Sequence, residues 1–232
     1  MALPWYMNMK KSEFWSTMIM FALHVVLFPV LIGVVVIMWP DLLTDTQLNL
    51  IYYCTSAVLT LLLLGKFLRT QLDPLLDRLP GNIITFFIGW GIYFALALIV
   101  GVVVTWLGIS DGNPNDAAID DMLKQDRNSI IAMTVILAPI VEECIFRGGF
   151  FCAFYRKNRY FAYVLSIVLF SVYHVWQYAF AAQDLSYLLY AVSYIPAAFS
   201  LCWVYEKTGS IWTSIFLSLI HISEPTRLLS IS

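Results

Sequence analysis

The sequence predicts an all-α fold: a polytopic transmembrane helical bundle of about seven spans. Three observations carry this. Of 232 residues, 61% are hydrophobic and only 12% charged, about half the charged share of a soluble domain. Mean hydropathy is +0.80, more apolar surface than a soluble chain of this length can hide. The apolar residues gather in runs of roughly 20, enough to cross a hydrocarbon core, and the polar connections between them alternate in basic charge. A net charge of -2 makes no electrostatic case for a nucleic-acid partner. The lipid bilayer is the expected surrounding.

Spans are expected at about 14–39, 48–68, 83–108, 129–155, 160–182 and 186–205, and a seventh begins near Ile211. Lys10 and Lys11 before the first run hint at a signal peptide. That run is too long for a signal-peptide core and lacks a small-residue cleavage site, so a retained first helix is expected. The connections set the orientation through Lys and Arg. The N-terminus carries Lys10 and Lys11, and the first loop carries no base. The second has Lys66, Arg69 and Arg78. The third sets Lys124 and Arg127 against five aspartates. The fourth is "RKNR" (156–159), the fifth has only Asp184, and the sixth has Lys207. The alternation predicts a multi-pass cell-membrane protein with a cytoplasmic N-terminus. Apolar residues at helical spacing in 66–82 predict an amphipathic helix on the inner membrane surface, with a solvated loop as the alternative. Cys54, Cys144, Cys152 and Cys202 fall in or beside the apolar runs, without paired spacing. They are expected to be small buried hydrophobes, with no disulfide and no metal.

The stretch "APIVEECIFRGG", Ala138 to Gly149, sets charges in the middle of a span. A bare charge there costs roughly 3 kcal/mol on insertion scales. Arg147 follows Glu143 by four residues, so the two share a helix face and can pair. Such a pair can simply lock two helices together. Glu142 points about 100° away and has no partner on its own helix. It must face a polar cavity or another helix, or be protonated. Pro139 removes a backbone donor and predicts a kink. Gly148 and Gly149 permit close helix approach. His174, in "FSVYHVWQYAF", is expected at the centre of the next helix, with Phe170 one turn before it. A lone histidine in an apolar span is usually a satisfied core residue. Beside an unpaired carboxylate it can instead help polarise a water, with or without a metal. Two ligand-type residues do not close a zinc site, which usually takes three protein ligands.

These motifs carry a resemblance. "EECIFRGG" fits Glu-Glu-x-x-x-Arg, "FSVYH" fits Phe-x-x-x-His, and "YEKTGSIW" fits the approach to a third motif. In this order on consecutive helices they resemble the CPBP family of intramembrane proteases, also called the CAAX-protease, bacteriocin-processing or Abi family. The resemblance covers about residues 129–216. It implies an all-helical core of about eight spans with a cavity open to the cytoplasmic side. It implies an intramembrane, metalloprotease-like endopeptidase acting on a membrane-associated peptide or protein. Glu142 would be the general base that activates water, Glu143 and Arg147 the supporting pair, and His174 the holder of the water or of a metal. Glu142 and His174 would be the metal donors if Zn2+ is the cofactor; zinc or a Glu–His water site both remain open. Bacterial members are linked to bacteriocin self-immunity or peptide processing, and the short loops look bacterial.

The third motif is His-x-x-x-Asn or His-x-x-x-Asp, and its histidine should fall near position 218. Ser218 stands there. The later His221 has Pro225 four residues on, so it takes no catalytic role by position. "LSLIHISEPTR" (217–227) resembles the translation of a sequencing-library adapter. The expected organisation is therefore 1–128 as N-terminal helices and loops, 129–216 as the catalytic core, and 217–232 as a non-native tail. With the third motif missing, the chain is expected to be inactive or badly impaired. The competing readings are a non-enzymatic membrane immunity or scaffold protein and a proton-coupled transporter. Against the transporter stand the missing inverted repeat and the absence of paired broken helices.

Overall fold

The computed structural model describes residues 9–106, 108 and 113–228, the side chains of residues 125 and 221–228 excepted. It is 89% helical, with no strand among the described residues. Five helices are long and apolar enough to cross a membrane: α1 (Lys11–Met38), α2 (Asp45–Thr70, continued after a tight turn by α3, Leu72–Asp77), α4 (Leu79–Trp106), α6 (Arg127–Tyr155) and α9 (Leu185–Thr208). The pair α7 (Arg159–Tyr173) and α8 (Trp176–Ala182), bent by 46°, is apolar enough to be a sixth crossing if it forms one broken span rather than a re-entrant loop. A last helix, α10, runs Ile211–Leu228. Its apolar part, Ile211–Ile220, is short, so the expected seventh span is present as a short apolar helix.

Three local expectations change. The stretch 66–82 is not a separate surface helix. Residues 66–70 continue α2, α3 adds less than two turns, and α4 begins at Leu79. Asn82 ties this corner by donating to the carbonyls of Pro74 and Leu75. The third loop contains a helix, α5 (Pro114–Gln125), capped by Asn113 and opened by a proline at its first turn. The expected irregularity at Pro139 takes the form of a widened turn before it. The six residues before Ala138, Ala132–Leu137, wind as a π-helix, and α6 passes as one span. A wider turn lets the backbone accommodate the missing proline donor.

The core lies where α6, α7, α9 and α10 meet, with α2 closing one side: Phe67, Phe146, Phe170, Leu201, Tyr205 and Ile211 are buried there. Both glycines of α6 sit at crossings. A Cβ on Gly148 would lie 2.9 Å from the Phe67 ring and 3.2 Å from Ile211, and one on Gly149 would collide with Thr17 of α1. Small residues at these points let the backbones approach as membrane helix packing requires. By contrast α4 buries only 6% of its apolar window; its inner face packs on the core through Phe86, Trp90 and Tyr93 and through Gly89, which meets Val204 and Leu217. All four cysteines are free. Cys144, Cys152 and Cys202 are buried, whereas Cys54 is exposed on the surface of α2, a correction to the expectation of burial.

Near the ends of α7 and α9, Glu206 receives Arg159 (Nε to Oε1, 2.6 Å; Nη2 to Oε2, 3.0 Å), the Tyr163 hydroxyl at 2.6 Å and the Tyr155 hydroxyl. Every lone-pair direction of this carboxylate is used, so the cluster clasps α6, α7 and α9 together.

Candidate active site

Position 143 is set by helical repeat and then held from three directions. Arg147 Nη1 lies 2.8 Å from Glu143 Oε1, both side chains fully buried. Ser214 of α10 donates to Glu143 Oε2 at 2.6 Å. Arg147 donates through Nη2 to the Ala198 carbonyl of α9 at 3.3 Å, and its guanidinium lies 4.2 Å over the Phe170 ring of α7. The pair therefore joins four helices. Further hydrogen bonds reinforce the attraction, as a buried charge pair needs, while Arg147 Nε is buried without one.

Glu142 has none of this. It is 3% exposed, and its Oε2 is buried without a hydrogen-bond partner. The group it faces is His174, with Nε2 at 3.9 Å from Oε2. Direct hydrogen bonds are shorter than this. His174 Nδ1 lies 2.8 Å from the Phe170 carbonyl. A carbonyl only accepts, so Nδ1 carries a proton, and when the ring is neutral Nε2 holds its lone pair beside Glu142. Two acceptors thus face each other across a short gap. Two hydrogen bonds of ~2.8 Å to one water, at its tetrahedral angle, put their acceptors about 4.5 Å apart, so a shared water asks the 3.9 Å gap to widen by roughly half an ångström.

His174 is not at the centre of a helix, as expected. It closes α7 at the 46° break, and Trp176 opens α8. The break brings the imidazole off the regular helix surface and into the bundle. Phe170, one turn back, supplies both the carbonyl for Nδ1 and the ring under Arg147.

A zinc centre would need a third protein donor. Among the described residues no group of three His, Cys, Asp or Glu side chains comes together. Ser214 and Ser218 are one turn apart on α10. Ser214 bonds Glu143, so their shared face meets the glutamates, and Ser218 is buried there. The position expected to carry a histidine is in place with a hydroxyl instead. The His221 side chain lies outside the described residues. The donor set does not fit a zinc ion, and the chemistry below uses none.

The sequence reading passed over several groups. Ser214 carried no signal, because its role depends on α10 folding back against α6. His24 did carry one, as an ionisable residue within an apolar run. It is fully buried, with Nδ1 at 2.8 Å from the Ser56 hydroxyl and Nε2 at 2.8 and 3.0 Å from the hydroxyls of Tyr173 and Tyr52. Tyr53 reaches the Tyr173 hydroxyl at 3.3 Å. Tyr173 is the neighbour of His174 in sequence, so α1 and α2 hold the helix break beside the site.

Residues 126–222 match the family described as Type II CAAX prenyl endopeptidase Rce1-like. A Bacillus subtilis (strain 168) protein named "Putative membrane peptidase YdiL" is 34% identical over 114 residues, 49% of this chain and 42% of that protein. The UPF0177 protein YvdC of Lactococcus lactis is 23% identical over 87 residues, 38% of this chain and 33% of that protein. The chain thus spans less than half the length of these curated relatives. No solved structure matches it. The matched region, less than half of the chain, holds Glu142, Glu143, Arg147 and His174 on the helices just described, and over residues 126–222 this chain is similar to the Rce1-like CAAX prenyl endopeptidase family.

Proposed function

We propose that the chain is an intramembrane peptidase in which Glu142 and His174 share one water and direct it at a peptide bond. The supporting observation is Glu142 Oε2: buried, without a hydrogen-bond partner, and 3.9 Å from His174 Nε2. In the reaction Glu142 takes a proton from the water as its oxygen adds to the scissile carbonyl, and delivers that proton to the leaving amine. His174, fixed by Phe170, orients the water. Glu143 and Arg147 do not touch the reacting atoms. They hold the helix that carries Glu142. The match to a CAAX prenyl endopeptidase family makes a prenylated C-terminal peptide the first substrate class to try. The basic-loop pattern supports a cytoplasmic N-terminus.

The test is cleavage of a farnesylated CAAX-ended peptide, beside its unprenylated twin, by purified protein in lipid nanodiscs. Glu142→Gln keeps the shape and removes the base, and should lower the rate by about 10²–10⁴-fold. Cleavage that persists in Glu142→Gln would overturn the mechanism.

Ser218, buried where the third motif's histidine is expected, favours a second reading: a non-enzymatic immunity or scaffold protein. Its signature is protection of cells from a membrane-active peptide that survives Glu142→Gln unchanged.

A further inference from the structure

The His174 ring is fixed at one edge by the bond from Nδ1 to the Phe170 carbonyl. Two rings of its own helix meet it at an angle, Phe170 with centroids 4.6 Å apart and Tyr173 at 5.0 Å, but neither lies flat on it, and the residue sits at a helix break. Its face is covered by Tyr194, the last residue of the 3₁₀ stretch Leu185–Tyr194 that opens α9. The two rings lie nearly flat together, centroids 4.3 Å apart with 22° between planes.

Tyr194 is in turn gripped by a segment outside the spans. Its hydroxyl accepts from Asn113 Nδ2 at 2.8 Å and from Asn115 Nδ2 at 3.1 Å, and donates to Asp116 Oδ1 at 3.3 Å. A phenol has one donor and two lone pairs, so three residues of the stretch 113–116 use its whole capacity. The segment is shaped in advance. Asn113 caps α5, its Oδ1 accepting from the Asn115 amide at 3.0 Å, and Pro114 opens the helix. Asp116 is exposed and the two asparagines are half-buried. Each would bond water almost as well, so the arrangement adds little to stability. What it does is hold one ring in one place, against His174.

We propose that Tyr194 is a positioning residue for His174 and that Asn113–Asp116 is the strap that holds it. This rests on the reading of Glu142 and His174 as the reacting pair. The stack keeps Nε2 aimed at Glu142. With the strap cut, Tyr194 moves off, the imidazole rocks, and the shared water is misplaced.

Two measurements on the full chain in nanodiscs test this. The first needs no substrate: the rate at which diethyl pyrocarbonate modifies His174, read by peptide mass spectrometry. His24, buried and bonded at both nitrogens, is the internal control. The variants are Tyr194→Phe, which keeps the ring and loses the strap, and Asn113→Ser with Asn115→Ala, which keeps a helix cap and loses both donors. Both should label His174 about fivefold faster, the loss of roughly one ring stack, with His24 unchanged. The second is cleavage of the farnesylated peptide, where kcat should fall about tenfold while KM stays within about twofold. Unchanged labelling in both variants overturns the proposal, even where cleavage falls. Faster labelling in a protein that never cleaves the peptide supports the strap and sinks the peptidase reading. Equal acceleration at His24 and His174 means general loosening and also overturns it.

Discussion

Two adjacent glutamates meet opposite fates, and the difference is one step of a helix. Glu143 repeats onto Arg147 and gains a serine; Glu142 turns about 100° away and meets His174 at a distance too long for a bond. A carboxylate with a full set of partners is structural, and one left short of partners in a buried place is available for chemistry. The cost of breaking each should differ accordingly. Arg147→Leu strands Glu143 and should destabilise the protein by about 3–5 kcal/mol. Adding Glu143→Gln should restore part of that, because the two changes share one interaction. Unfolding in mixed detergent micelles measures both. A double variant no more stable than Arg147→Leu alone would show that the pair does not act as a unit.

At the scale of elements, α6 is fitted to its neighbours by absence. Gly149 has no room for a Cβ against Thr17, and Gly148 almost none against Phe67 and Ile211. Gly149→Val should push α1 off α6 and cost about 1–3 kcal/mol by overpacking. Thr17→Ala in the same chain should recover much of it. Thermal melting in detergent decides. Failure of the second change to help would mean that Gly149 is needed for the π-helical winding of Cys144–Phe151 and not for the crossing. The break between α7 and α8 matters equally, since it alone turns His174 inward. Nothing in "SVYHVWQ" announces a break: it holds neither glycine nor proline. The bend comes from packing.

For the whole molecule, the N-terminal helices lie outside the matched region 126–222, yet they reach the site through His24. Replacing His24 by Leu takes the imidazole from the Ser56 hydroxyl, at about 1–3 kcal/mol for an orphaned group, while Tyr52 keeps the residue 24 carbonyl and Tyr173 keeps the Tyr53 hydroxyl. His24→Gln keeps a donor and an acceptor and should lose less. Both should lower the melting temperature. An unchanged melting temperature in His24→Leu would show that α1 is a passive cover. The all-helical class and the order of the polar motifs were legible in the chain, because apolar run length and helical repeat act locally and are written in consecutive residues; the count was not, since the seven spans expected become five long apolar helices, or six with the bent pair. The pairing of Glu143 with Arg147 was legible for the same reason. Which helix meets Glu142, that Ser214 bonds Glu143, that Tyr194 covers His174 and that His24 braces the break were decided only by tertiary structure. These contacts join residues far apart in the chain. Their distances depend on how α1, α7, α9 and α10 close around α6, a matter of packing that no local pattern encodes.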